Sequence, residues 1–288
     1  MSDPAGRTVV VTGGNGGIGK AISSALAAGG ARVVIAARNQ EKAAAAVTEI
    51  RDTTGAGDRV TTMPLDLSSF ASVRAFAAQF LAGHDRLDAL VNNAGLWMME
   101  RTETVDGHEW TFQVNHLSHF LLANLLRPAL QQGAPARVVA LSSGAHKAAR
   151  RGLDFDDLDW ERRRYGIFRA YAASKLANIL FVRELARRWA PDAVTANAAH
   201  PGAVASNFAT DGKFGRIGDI GIPLVGRFLR TTAQGAATPV YLATSAEVAG
   251  RTGGYYYKDT PARTSAAARD DAAAARLWDV SLRLTGLA

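Results

Sequence analysis

Cysteine is absent from all 288 residues, which excludes disulfides, thiolate nucleophiles and thiolate metal sites. No apolar run approaches the ~20 residues needed to span a bilayer. The N-terminal Met1-Ser-Asp-Pro-Ala-Gly-Arg7 enters a strand without a signal-peptide pattern. Together these absences set the expectation of a soluble, cytoplasmic protein with no membrane span. Lysine and arginine outnumber the acids, 33 to 26, for a net charge of +7. The cations are nevertheless scattered, with short clusters only at Arg150-Arg151 and Arg162-Arg163-Arg164. Without interleaved aromatics this is no nucleic-acid platform, and the charge is left to solvated faces and to sites for anionic phosphates. His116 and His119 fall three apart on a predicted helix, but no carboxylate or third histidine shares that face. No metal site is expected. Neither a repeat nor a linker divides the chain, so 1–288 reads as one domain.

Against those absences stands a regular alternation of short β-branched runs with longer helical patterns. Strands are predicted at Arg7–Thr12, Ala31–Ala36, Arg59–Leu65, Leu87–Val91, Ala136–Ser142, Ala193–Ala199 and Gly254–Tyr257. Between them lie helices ending near Ala28, over Gln40–Arg51, over Ser68–Leu81 with Ser68 as N-cap, and over Val105–Leu130 with a bend or stop near Pro128. Two more run from Tyr171 to Trp189 and over Ala233–Thr244, and the Gly254–Tyr257 strand is the last predicted element. The alternation implies right-handed crossovers and an α/β, Rossmann-type, doubly wound parallel sheet of about seven strands flanked by helices. Two segments break the rhythm. Ala145–Phe168 is polar and rich in Arg and Asp. The stretch 203–230 is Gly-rich but carries Phe208, Phe214, Ile217, Ile220, Ile222, Leu224, Val225, Phe228 and Leu229. Irregular segments this long are usually functional, and 203–230 is expected to be a substrate loop or lid; the alternative is that its apolar residues simply bury themselves against the body.

Three short patterns carry chemistry. The first, Thr12-Gly-Gly-Asn-Gly-Gly-Ile-Gly19, follows a strand and opens a helix. There Gly13, Gly16, Gly17 and Gly19, with Asn15 and Ile18 between them, let backbone amides approach a pyrophosphate at the positive helix end. The second lies after the next strand, where a carboxylate would bind the ribose hydroxyls of NAD and repel a 2′-phosphate. Ala37 occupies that position and Arg38 follows it, with Lys42 one turn on. Arg38 is either an ordinary surface cation or a bidentate phosphate grip; the missing acid favours NADP(H) over NAD(H). The third is Tyr171-Ala-Ala-Ser-Lys175, with a phenol and an ammonium at i and i+4 on one helix face. A positive charge at about 4 Å and an effective dielectric of ~20 is worth roughly 4 kcal/mol. That would bring a phenol from its usual ~10 to about 7 and make a tuned acid/base.

These motifs resemble the short-chain dehydrogenase/reductase family from Arg7 to about Tyr257. The family's Thr-Gly-x-x-x-Gly-x-Gly turn matches Thr12–Gly19, its Asn-Asn-Ala-Gly matches Asn92, Asn93, Ala94 and Gly95, and its adenine-side acid matches Asp66-Leu67. Its helix asparagine falls on Asn115 and its serine on Ser143, preferred to Ser142. Its Pro-Gly is Pro201-Gly202, followed by Val204 and, where the family has threonine, by Ser206. The resemblance implies a catalytic set of Asn115, Ser143, Tyr171 and Lys175, with Tyr171 protonating a carbonyl during hydride transfer. It also implies that Lys175 holds the nicotinamide ribose and lowers the phenol pKa, that Ser143 binds the substrate oxygen, and that Asn115 supports a proton path. Asn115-His-Leu-Ser-His-Phe-Leu-Leu122, Tyr171-Ala-Ala-Ser-Lys-Leu-Ala-Asn178 and the long insertion before Tyr171 are similar to the retinol-dehydrogenase-like branch. That branch implies lipophilic alcohols, aldehydes or ketones as substrates. A homo-oligomer, dimer or tetramer, would use the helices carrying Asn115 and Tyr171. A reductase of carbon–carbon double bonds and a non-catalytic NADP-binding regulator are the competing readings. His146 is read as a possible substrate contact and His200 as a structural histidine. Trp97, Met98 and Met99 either line the pocket or pack.

Overall fold

Near-continuous burial along the central parallel strands builds this molecule from the middle outward. The computed structural model describes residues 4–204 and 230–288; most of the 203–230 segment expected to form a lid, and Ser206 within it, lie outside the described residues. In β1 (Thr8–Thr12), β2 (Arg32–Ala37), β3 (Val60–Pro64), β4 (Ala89–Asn92), β5 (Ala136–Leu141), β6 (Val194–His200) and β7 (Tyr255–Tyr257), neighbouring strands run parallel in the order β3-β2-β1-β4-β5-β6-β7. An eighth strand, β8 (Thr260–Pro261), adds an antiparallel edge that the sequence reading did not include.

Val9, Val11, Val33 and Ile35 face one side, against Ile22 and Leu26 of α1 (Gly17–Ala28), Val47 and Ile50 of α2 (Gln40–Thr54), and Leu242 of α8 (Thr232–Thr244). The intervening Val10, Val34 and Leu90 face the other side. There they meet Phe76 and Phe80 of α3 (Phe70–Gly83), Phe120 and Leu121 of α5 (Ser118–Leu125), and Leu180 of α7 (Ile167–Arg188). Strands buried on both faces are what a parallel sheet demands, and they explain the near-continuous Val/Ile/Ala runs.

Several boundaries differ from expectation for local reasons. Ser69, not Ser68, caps α3 by accepting from the Ser72 amide at 3.3 Å, while the Ser68 hydroxyl donates to Asp66 at 2.7 Å. The helix expected from Val105 begins only at α4 (Trp110–Phe112), because Glu109 caps it, its carboxylate accepting from the Thr111 and Phe112 amides. A π-turn over Gln113–Leu117 joins α4 to α5, and Pro128 sits in the first turn of a separate α6 (Arg127–Gln132), where its missing N–H costs nothing. The 145–168 insertion is tied to the body: Asp159 accepts from the Glu109 amide, and the Tyr165 hydroxyl donates to the buried Glu109 carboxylate at 3.0 Å.

Beyond Tyr257 the sequence reading had placed nothing, yet α9 (Asp271–Leu284) closes the chain, capped by Asp270. Trp278 on its inner face meets Phe120 edge-on at 4.9 Å and stacks on Phe181 at 6.1 Å, and Ser281 reaches His116 at 3.0 Å. The α9 helix therefore packs against α5 and α7. Trp278 is 5% exposed, so Trp278→Ala is expected to cost about 3–5 kcal/mol of stability, read as a lowered urea midpoint at unchanged m. A loss below ~1 kcal/mol would show that α9 is not part of the cooperative core.

Candidate active site

The strand order reverses direction between β1 and β4, and in such sheets ligands bind beyond the carboxyl ends of the strands at that point. A cleft of about 280 Å³ opens there, lined by Gly13 and Asn15 after β1, Ala37 and Arg38 after β2, Asp66 and Leu67 after β3, and Ala94 and Gly95 after β4. Trp110 and Val114, which the sequence reading did not single out, complete the wall.

Two glycines make this corner possible. Gly13 turns the chain at φ +63°, a conformation that side chains with a Cβ resist. At Gly19 a Cβ would lie 2.2 Å from the Gly13 carbonyl oxygen and 2.5 Å from the Asn93 side-chain nitrogen. Asn93 Nδ2 donates to the Thr12 carbonyl at 2.7 Å, so α1 can approach β4 only because residue 19 has no side chain. Gly16 caps α1, and Gly17 and Ile18 form its first turn. Ile18 and Val204 both approach Gly235 of α8, which brings the segment after β6 back to the glycine turn. Pro201 and Gly202 are held by Arg230 Nη1, which donates to the Pro201 carbonyl at 2.9 Å, and by the Gly202 amide donating to His200 Nδ1 at 3.2 Å.

A buried network, not legible as a motif, fixes the Asn93–Gly95 segment. Thr12 Oγ1 accepts from the amides of Asn93 and Ala94 at 2.9 and 3.0 Å and lies 2.9 Å from His119 Nε2. With both lone pairs used, the hydroxyl proton goes to Nε2. His119 then carries its own proton on Nδ1, which donates to the Asn115 carbonyl at 3.2 Å. Burial holds this imidazole neutral, its pKa lowered to about 4. Because His119 turns toward Thr12 while His116 turns toward Ser281, the pair shares no ligand position. Among the described residues no cluster of metal-ligating side chains occurs.

The four residues of the expected catalytic set converge at the edge of this segment. Asn115 is locked, its Oδ1 accepting from the Leu96 amide at 2.8 Å and its Nδ2 donating to the Leu96 carbonyl and to Ser174 Oγ. A Cβ on Gly95 would sit 3.1 Å from Lys175 Nζ and 3.2 Å from Asn115 Oδ1, so the ammonium, the amide and the loop meet at one point. Lys175 Nζ donates to the Leu141 carbonyl at 3.1 Å. Ser142 is committed elsewhere, donating to the Lys175 carbonyl at 2.7 Å, whereas Ser143 hydrogen-bonds Tyr171. Trp97 meets the Tyr171 ring edge-on at 5.4 Å and Phe168 at 5.9 Å.

The electrostatics correct one expectation. Burial pushes the Tyr171 phenol up to about 12, opposed by the Ser143 hydrogen bond, and burial brings Lys175 down to about 8. The Lys175 ammonium lies 5.5 Å from the Tyr171 ring centroid and is bonded to a carbonyl. Desolvation therefore outweighs the attraction that the i, i+4 spacing suggested, and at neutral pH the phenol keeps its proton. His146 also departs from expectation. It is fully buried with both ring nitrogens bonded, to the Ser143 carbonyl and to the Ser265 amide, so it contacts no substrate. His200 stacks on Tyr257 at 4.8 Å and accepts from Gly202, in keeping with a structural histidine.

The geometry agrees with the comparisons to known proteins. The short chain dehydrogenase family profile matches residues 7–154 and 161–213. Dehydrogenase/reductase SDR family member 13 of Bos taurus is 44% identical over 98% of this chain and 74% of its own length. Retinol dehydrogenase 13 of Homo sapiens is 40% identical over 98% of this chain and 85% of its own. Among solved structures, the Pseudomonas aeruginosa RhlG/NADP active-site complex aligns with a TM-score of 0.69 at 31% identity, covering 87% of this chain and 94% of that one. The sheet order, the glycine turn at its switch point and these matches together establish that the chain is a short-chain dehydrogenase/reductase, an oxidoreductase with retinol-dehydrogenase-like relatives.

Proposed function

We propose that this enzyme transfers hydride between NADP(H) and the carbonyl or alcohol carbon of a lipophilic small molecule. The observation that carries the reading is the hydrogen-bonded Ser143–Tyr171 pair with Lys175 beside Gly95, a residue that lines the β1–β4 cleft. The cofactor supplies the redox chemistry when bound. Gly13, Asn15 and the start of α1 suit its pyrophosphate, and Arg38 with Lys42 suits a 2′-phosphate. Both cations line the cleft, and neither side chain is engaged in an ion pair or hydrogen bond among the described residues. The RhlG relative, solved with NADP, supports the same preference.

In reduction, the neutral Tyr171 phenol donates its proton to the substrate oxygen, and Ser143 stabilises charge developing there. Lys175 supplies a positive charge beneath the pair. Asn115 pins Leu96 and Ser174 around it through its side chain, while its backbone carbonyl is tied through His119 to Thr12. Trp97 packs against both Tyr171 and the 72% exposed Phe168, an apolar surface beside the phenol that favours lipophilic substrates. The test is an NADPH-oxidation screen over aldehydes and ketones of graded chain length. Turnover rising with chain length supports the reading. No turnover with any of them contradicts it and favours double-bond reduction or a regulatory role.

The pH dependence follows from Lys175. Its pKa is lowered to about 8, so the ammonium is present below that value and lost above it, whereas Tyr171 keeps its proton to about 12. The reductive kcat is expected to be flat through neutrality and to fall above about pH 8. A profile flat to ~10 would show that the charge on Lys175 has no part in the rate.

A further inference from the structure

We infer that His146 is a positioning residue that sets the Ser143 hydroxyl through a bolt running to the C-terminal segment. The inference rests on the reading of Ser143 as a substrate-oxygen contact. His146 is 0% exposed, in the single turn Gly144–Ala148 that follows Ser143. Its Nδ1 lies 2.7 Å from the Ser143 carbonyl, and its Nε2 lies 3.3 Å from the Ser265 amide nitrogen. A carbonyl only accepts and a peptide N–H only donates, so the neighbours dictate the tautomer: the proton is on Nδ1 and Nε2 is bare. The Ser143 carbonyl thus takes two donors from one residue, the ring and the His146 amide at 3.2 Å. The Ser143 side chain is left to cap the same turn, accepting from the Ala145 amide at 3.2 Å, and to meet Tyr171.

Among the described residues, the His146 ring is the one side chain that bonds the Ser143 carbonyl. The Tyr255 ring stands edge-on to the imidazole at 5.0 Å. The segment after β8, which supplies Ser265, leads through the short turn Ala267–Arg269 into α9, so the bolt joins the C-terminal elements to the site. A ring held at both ends fixes the backbone of Ser143, and with it the direction of the hydroxyl. Losing the ring lets the turn shift, and misplacement of about 1 Å at a reacting contact costs up to ~100-fold.

The test is a cycle with Ser143. His146→Leu removes both bonds, His146→Asn keeps a donor at the Nδ1 position, and His146→Gln keeps a group only at the Nε2 position. NADPH oxidation is followed with decanal, or with whichever aldehyde of the graded series turns over fastest. The Leu variant is expected to lose about 10- to 100-fold in kcat with NADPH affinity unchanged. Asn should restore most of the loss and Gln little. In a Ser143→Ala background the Leu change should alter kcat by less than about twofold, because its effect runs through a hydroxyl already gone. Ring ¹⁵N NMR of the unaltered protein should show His146 as the Nδ1–H tautomer. Multiplicative losses in the double variant, recovery by Gln rather than Asn, or the opposite tautomer would overturn the inference. If the Leu variant does not fold, the order of Asn and Gln and the tautomer still decide it. Ser143→Ala turning over normally would instead sink the role of Ser143, and the inference with it. Turnover of no aldehyde would remove the functional reading altogether.

Discussion

Tyr171→Phe is expected to lower kcat for NADPH-dependent carbonyl reduction by about 10²–10⁴-fold, the usual worth of a positioned proton donor. The substitution keeps the ring that Trp97 meets edge-on and removes only the hydroxyl, with its hydrogen bond to Ser143. Stability should therefore change by about 1 kcal/mol or less, and NADPH affinity should stay near that of the unaltered protein. The measurement is single-turnover NADPH oxidation beside a fluorescence titration of NADPH and a thermal melt. Loss of kcat with binding and melting preserved assigns the proton to Tyr171. Undiminished turnover would mean that another group delivers it, and loss of all three would mean that the variant reports folding.

The second large effect concerns cofactor choice. Arg38→Asp is expected to weaken NADPH binding by a hundredfold or more. It removes a charge-assisted contact worth about 1.5–3 kcal/mol and sets a carboxylate against the 2′-phosphate, and about 1.4 kcal/mol corresponds to each tenfold. NADH should bind as well as before or better, since a carboxylate at that position accepts from ribose hydroxyls. Arg38 is exposed at the cleft rim, so the NADPH preference of the unaltered protein should shrink with added salt. Fluorescence titrations with both cofactors at two ionic strengths check this. A tighter affinity for NADH than NADPH in the unaltered protein would refute the assignment to Arg38. Lys42, also lining the cleft, should show a smaller loss when replaced by Ala.

Much of the site was legible because its chemistry is written in short contiguous runs. Thr12–Gly19, Asn92–Gly95 and Tyr171–Lys175 each have to be contiguous, since a turn or one helical turn does the work. The strands were legible for a related reason: two-sided burial makes them apolar throughout. What escaped was whatever depends on partners far apart in the chain. The start of α4 at Trp110 rather than Val105 depends on the buried Glu109 carboxylate, itself held by Tyr165 56 residues away. The neutral histidines 119 and 146 look alike in sequence, and only their neighbours show one serving Thr12 and the other Ser143. The α9 helix begins with an alanine-rich stretch whose few large residues gave a weak periodic signal; Trp278 makes sense only against Phe120 and Phe181. The Tyr171–Lys175 electrostatics failed for the same reason. Spacing gives which face a residue occupies, but not how deeply that face is buried, and burial decides the sign of both shifts.

The central claim is that hydride passes between NADP(H) and a carbonyl carbon in this protein. It is tested most directly by supplying NADPH deuterated at the transferring position of the nicotinamide, with the best aldehyde from the screen, and analysing the alcohol by mass spectrometry. The account predicts a single deuterium on the carbinol carbon, introduced on one face only, and no product from Tyr171→Phe above the uncatalysed background. Alcohol free of deuterium, or label arriving on a carbon other than the carbonyl carbon, would contradict it.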